Sequence, residues 1–237
     1  MHSGDDADPA PQPFRARPGR TPRPLPRRPL APVPAILGRS RRDEAVRHLR
    51  CYFDTVTDGS GWTGSRFERF RGGGDAVDVA DTFTADDLVA VTLLSVQVPP
   101  RSALWLLEDR AAEFAELLAA VPRDLDLVDV DPVDIHPDWP AWRLWTALTR
   151  LHGVGWVTAG KLLARKRPRL APVYDSVVRG AVAPTGSFWA WLAAALRADD
   201  RALHRHLLSL RDEAAIGPDV SALRVFDVVV WMEHRYG

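Results

Sequence analysis

Two neighbouring stretches decide the fold: Leu151-His152-Gly153-Val154-Gly155-Trp156-Val157-Thr158-Ala159-Gly160-Lys161, and then Pro172-Val173-Tyr174-Asp175-Ser176-Val177-Val178. A helical run ends at the Gly-Val-Gly turn, and a second helix starts at once with Thr158-Ala159. Glycines permit the tight turn, and a helix start leaves its backbone N–H donors free. Such a helix–hairpin–helix, at about 143–165, can aim those donors at a phosphate. The helix leading in, Trp139 to His152, carries Trp139, Trp142, Trp145, Leu148 and Leu151 at three-residue intervals. That stripe belongs against a core. From Leu151 to Gly180, Lys161, Arg165, Lys166, Arg167, Arg169 and Arg179 face the single acidic Asp175. The reading is a basic patch around one carboxylate.

Outward from this centre the periodicity is helical throughout. Ala45, Val46, Leu49, Tyr52, Phe53 and Val56 predict a helix from Arg41 to about Val56. Thr84 caps a helix whose first turn holds Asp86 and Asp87; it runs to about Val96 and, apolar nearly all round, should be a central core helix. Pro99-Pro100 ends it, and another helix follows from Arg101 to Ala120. The Asp-rich segment between Pro122 and Pro137 reads as a solvated connector, with Asp138 capping the next helix. Amphipathic helices are expected at Phe188–Arg197, Ala202–Ala215 and Ser221–His234. No alternating strand pattern appears, so the fold class is all-α. The Gly72-Gly73-Gly74-Asp75 cluster has no strand before it and no Gly-Lys-Ser/Thr after it, so it is a turn rather than a phosphate loop. Met1 to about Ile36, with ten of the 20 prolines and many arginines, is expected to be a disordered tail, leaving 37–237 as one domain.

Composition narrows the function classes. The formal net charge of +0 gives no global basic field, so a nucleic-acid surface must come from local asymmetry. Cys51 is the only cysteine, which excludes an intramolecular disulfide and a cysteine-rich zinc or iron–sulfur site and suits a reducing cytoplasm. No apolar run approaches the ~20 residues of a membrane span, and no membrane partner is expected. The Asp-rich segment with His136 fits no standard ligand spacing, so no metal site is expected. Nothing in the pattern specifies an oligomeric state.

The hairpin Leu-His-Gly-Val-Gly-Trp-Val-Thr-Ala and the Asp eighteen positions after Val157 resemble the helix-hairpin-helix superfamily of DNA glycosylases. The resemblance covers about residues 140–182. It implies a glycosylase-like helical bundle and a double-stranded DNA partner with a damaged or modified base. It also implies that Gly153, Val154, Gly155, Trp156 and Thr158 grip a phosphate, with a monovalent cation on hairpin carbonyls. Asp175 would be the catalytic carboxylate at an N-glycosidic bond. Lys161, Arg165, Lys166 and Arg167 would add phosphate contacts, while Tyr174, Trp142 and Trp145 line the pocket of a flipped base. Val157 stands where bifunctional members carry a lysine, so lyase chemistry is not expected. The His of the superfamily's Val-Asp-Thr-His-Val is lost here.

Across most of the chain the sequence also resembles a family of uncharacterised actinobacterial proteins, through Trp62–Gly64, Gly72–Asp75, Thr84–Val91 and Arg165–Asp175. That likeness implies no activity. Two functional readings therefore stand open: a monofunctional glycosylase with Asp175 catalytic, or a non-catalytic module binding DNA or a protein, with Asp175 as a helix cap. In a third reading the hairpin is only a structural corner.

Overall fold

A computed structural model describes residues 32–54, 61–184 and 186–236. Its elements are α-helices joined by 3-10 turns, with no strand among the described residues, as the periodicity requires. The helices are α1 (Arg42–Phe53), α2 (Ala85–Thr92), α3 (Pro100–Leu104), α4 (Ala111–Ala119), α5 (Pro140–Thr149), α6 (Trp156–Lys166), α7 (Ser176–Val182), α8 (Phe188–Ala214) and α9 (Ala222–Tyr236). α1 packs on α8 and α9, α6 lies between α5 and α2, and α7 leans on α9. One contiguous cluster of buried apolar side chains runs from Ile36 to Met232.

Several boundaries follow local chemistry. Thr84 and Asp87 form a reciprocal capping box at the start of α2. α2 ends at Thr92, sooner than its apolar run suggested, and Val89 is 46% exposed, so only one face of this helix is core. The expected Arg101–Ala120 helix is broken by a π turn at Trp105–Asp109, where the Arg110 N–H reaches back to the Trp105 carbonyl. Asp138 does not cap α5: Trp139 holds the cap position and Pro140 opens the helix, its missing N–H being one that needs no partner there. In α8 the backbone leaves helical geometry at Ala198–Arg201, between the two helices read from the sequence. The last helix extends to Tyr236.

The tail as read from sequence lies mostly outside the described residues, as do residues 55–60 with Gly59 and Val56. Ile36 and Leu37 are nevertheless buried on a 3-10 turn, so packing begins before residue 37. No helix among the described residues is long and apolar enough to cross a membrane.

Candidate functional site

α5 and α6 are joined by the Gly-Val-Gly turn. Gly153 adopts φ +70°, and a Cβ there would stand 2.7 Å from Pro99 Cγ, so the turn needs glycine on both conformational and steric grounds. Ser102 Oγ donates to the His152 carbonyl at 2.7 Å, tying the turn to α3. Gly155 is the N-cap of α6 without a side-chain cap, which leaves the first-turn N–H groups at Trp156–Thr158 facing outward from the helix end. The carbonyls of Leu151, His152 and Gly155 already accept Val154 N–H, Ser102 Oγ and Ala159 N–H.

Asp175 does two things. Its Oδ1 accepts the N–H groups of Val177 at 3.0 Å and Val178 at 3.1 Å, capping α7. The half-buried side chain also lines a cleft of about 380 Å³ between α6, α7, α9 and the Trp62–Gly64 turn. Lys161 lies one helical turn beyond Val157, so both face this cleft. Its Nζ donates to the Leu94 carbonyl at 2.7 Å. Burial pulls the Lys161 pKa below the ordinary lysine value, opposed by the carboxylates of Asp175 and Asp227.

Asp227 reaches the cleft from α9, with 3% of its surface exposed. Arg224 Nη1 donates to its Oδ2. Burial raises the Asp227 pKa to about 7; Arg224 pulls against that shift and Asp175 adds to it. Arg224 is itself fully enclosed: Nη2 donates to Tyr52 Oη at 2.8 Å and to the Gly64 carbonyl at 3.0 Å, and Nε lies 2.6 Å from Glu68 Oε1. That last approach is an ion pair without hydrogen-bond geometry, since Arg224 Nε has no hydrogen-bond partner. Desolvation works against the Arg224 charge, but Glu68, Tyr52 and Asp227 outweigh it and hold its pKa above the usual arginine range. The apolar wall of the cleft is aromatic. Trp62 stacks parallel to Tyr52 at 6.3 Å between centroids and meets Trp231 edge-on at 4.9 Å.

Tyr174, Trp142 and Trp145 do converge, but elsewhere. With Trp156, Phe188 and Trp189 they line a separate cavity of about 240 Å³, where Tyr174 stacks on Phe188 at 3.8 Å. This corrects the expectation of one pocket holding both these rings and Asp175. The backbone at Asp175 is extended, so adjacent side chains point to opposite sides. α6 separates the two spaces, offering Val157 and Lys161 to the cleft and Trp156, Gly160 and Leu163 to the aromatic cavity.

The expected basic patch is also corrected. Lys161, Arg165, Lys166 and Arg167 are 6%, 3%, 0% and 2% exposed. Arg165 donates to the carbonyls of Phe67, Glu68 and Phe70, and Lys166 to those of Gly74 and Val79. Arg167 serves Ala80, Leu118 and Val121. Asp87 pairs with both Arg165 and Lys166, and Asp81 with Arg167. The physical reason lies in the irregular segment from Trp62 to Thr84. With only two short 3-10 turns, Thr63–Arg66 and Phe70–Gly72, it leaves buried carbonyls in need of donors, and long cationic side chains supply them, Arg167 also serving the end of α4. A Cβ on Gly74 would meet the Arg165 side chain and carbonyl at 2.7 Å, so the glycine cluster is where this loop closes on α6. The basic groups that remain exposed on or beside the hairpin among the described residues are Arg101, Arg143, Arg150, His152 and Arg179, the last with its guanidinium 5.8 Å from the Trp156 ring; Arg169 is exposed too but sits beside Asp124 and Asp126.

A model of a family of unknown function, DUF6308, matches residues 45–234. The chain belongs to this family. No curated protein and no solved structure gives a match. The matched span contains every cleft residue named above. The segments that carried the likeness in sequence meet in space. Gly74, Asp87, Arg165 and Lys166 form one buried cluster, and Trp62–Gly64 closes over Arg224.

Sequence reasoning passed over Trp62, Tyr52 and Asp227 as site residues. The signal for Asp227 was present: a lone acid inside Val225-Phe226-Asp227-Val228-Val229-Val230 on a helix buried nearly all round. Away from the cleft, Glu44, His48 and Glu233 bring ligand atoms within 4.8 Å of one another, but Arg41 bridges both carboxylates and supplies the positive charge.

Proposed function

We propose that this chain is a DNA-binding N-glycosyl hydrolase that uses the Asp175 cleft. The observation that carries the reading is the double position of Asp175, fixed by two backbone N–H donors while lining a cleft with Lys161, Asp227 and an aromatic wall. A carboxylate so fixed can stabilise positive charge developing on a sugar and orient water toward the anomeric carbon. Trp62 offers a face on which an extruded base can stack. The free N–H groups at the start of α6, with Arg150 and Arg179 beside them, suit one phosphate. The glycosylase-like helix-hairpin-helix bundle is part of this proposal and is supported by the α5–turn–α6 geometry. Val157 leaves no lysine at the lyase position, so hydrolysis without strand cleavage is the expected outcome.

A second reading, a non-catalytic hairpin module, is favoured by one observation: Arg165, Lys166 and Arg167 serve the interior and leave few cations for DNA. The discriminating experiment is binding of two matched duplexes, one undamaged and one with a stable abasic-site analogue, to the wild type and Asp175→Asn. Preference for the abasic duplex that the variant loses supports the hydrolase; equal binding to both leaves the module.

A further inference from the structure

We infer that Asp227 is a second catalytic carboxylate of the cleft, the proton donor to the departing base opposite Asp175. The inference rests on the hydrolase reading above and names the group that reading lacks, an acid for the leaving nitrogen. Three observations carry it. Asp175, at the start of α7, and Asp227, on α9, line the same cleft, so one ligand there can meet both carboxyls. Asp227 sits in a helix whose neighbouring residues are core; its Oδ2 accepts from Arg224 Nη1, and the side chain nonetheless lines the cleft. The two carboxyls also have different surroundings. Asp175 is half-buried and accepts two backbone N–H groups, whereas Asp227 is enclosed and raised to about 7 by burial first, against the pull of Arg224 and Lys161 and with the push of Asp175. Paired carboxyls in unlike surroundings divide into an acid and a base.

The charged and titratable groups around Asp227 come from every neighbouring element. They are Arg224 on its own helix, Lys161 on α6 and Asp175 at the start of α7, with Glu68 and Tyr52 beyond Arg224. The step balances without a further reagent. The C1′–N bond breaks with its electron pair going to the base nitrogen, which takes the proton of the Asp227 carboxyl. Water adds to C1′ and gives its proton to the Asp175 carboxylate. The products are the free base and a C1′ hydroxyl, and exchange with solvent restores both carboxyls.

The test uses the full chain and two duplexes. One carries a neutral tetrahydrofuran abasic nucleotide and the other a cationic pyrrolidine abasic nucleotide, with the ratio of their affinities measured from pH 5.5 to 8.5. As Asp227 loses its proton the cleft gains a negative charge, so the preference for the cation should rise about tenfold through about pH 7, the change that about 1.4 kcal/mol represents. In Asp227→Asn most of the rise should be lost, with Glu68 behind Arg224 keeping a small part of it. Lys161→Met, which removes a charge that favours ionised Asp227, should move the midpoint to higher pH and keeps the test open if Asp227→Asn fails to fold. A preference for abasic duplexes with a ratio independent of pH in the wild type would overturn the role of Asp227 and leave the hydrolase reading standing. No preference for either abasic duplex over undamaged DNA at any pH would overturn the hydrolase reading, and this inference with it.

Discussion

Asp175 shows how one side chain can serve fold and chemistry at once, and how the two can be separated. Its Oδ1 holds the first turn of α7. Asparagine is as good a cap as aspartate, whereas alanine loses about 1 kcal/mol at such a position. Asp175→Asn should therefore unfold within a few tenths of a kcal/mol of the wild type in urea, and Asp175→Ala about 1 kcal/mol below it. A large loss in the asparagine variant would mean that the charge itself holds the fold. Asp227 makes the opposite case, because its burial leaves a signature in pH. It titrates near 7 when folded against about 3.9 when unfolded, so between these values the folded chain binds more protons. Its contribution to stability is full below about pH 4 and is lost as pH rises through 7. Urea midpoints of Asp227→Asn should fall less steeply than those of the wild type between pH 5 and 8, although Glu68, whose pKa burial also raises, keeps part of the slope. Identical slopes would contradict the burial described for Asp227.

At the scale of elements, α6 is the organising helix, with a cleft on one face and the aromatic cavity on another. Its last turn is anchored by Asp87, whose carboxylate pairs with Arg165 and Lys166 where all three are buried. Removing one partner of a buried ionic cluster leaves uncompensated charge and costs about 3–5 kcal/mol. Asp87→Asn is expected to lose stability on that scale by urea denaturation, and a loss under 1 kcal/mol would show that solvent reaches the cluster. Element by element, the helices were legible in the sequence because apolar spacing and caps are local properties. The Thr84 cap and the break between Arg197 and Ala202 were both readable in this way. The Arg165-Lys166-Arg167 run was not. Most of its partners lie in a loop some 90 residues earlier, with others at the end of α4, and charge counted along the chain carries no information about which segments fold over it. The same limit misplaced the rings. Tyr174 and Asp175 are adjacent in sequence, and only the extended backbone between Pro172 and α7 sends them to different cavities. Trp62, Lys161 and Asp227 join Asp175 from three separate segments, so the cleft was visible only as unconnected letters.

The whole molecule is neutral, and its buried arginines further reduce what DNA can meet. With Arg101, Arg143, Arg150 and Arg179 as exposed arginines on or beside the hairpin among the described residues, about four phosphates can be neutralised there. The slope of log K against log salt should then be no steeper than about −4. A steeper slope would mean that basic groups beyond these four reach the DNA. Modest electrostatics place the demand for affinity on the cleft, where an extruded nucleotide would bury its sugar against Asp175 and its base against Trp62. The most direct measurement of that claim is the affinity of the wild type and Asp175→Asn for an abasic-analogue duplex relative to its undamaged match, at fixed salt. The account predicts that the wild type prefers the abasic duplex by about tenfold or more and that the variant, folded and as stable as the wild type, does not. Equal affinity of the wild type for both duplexes would contradict it.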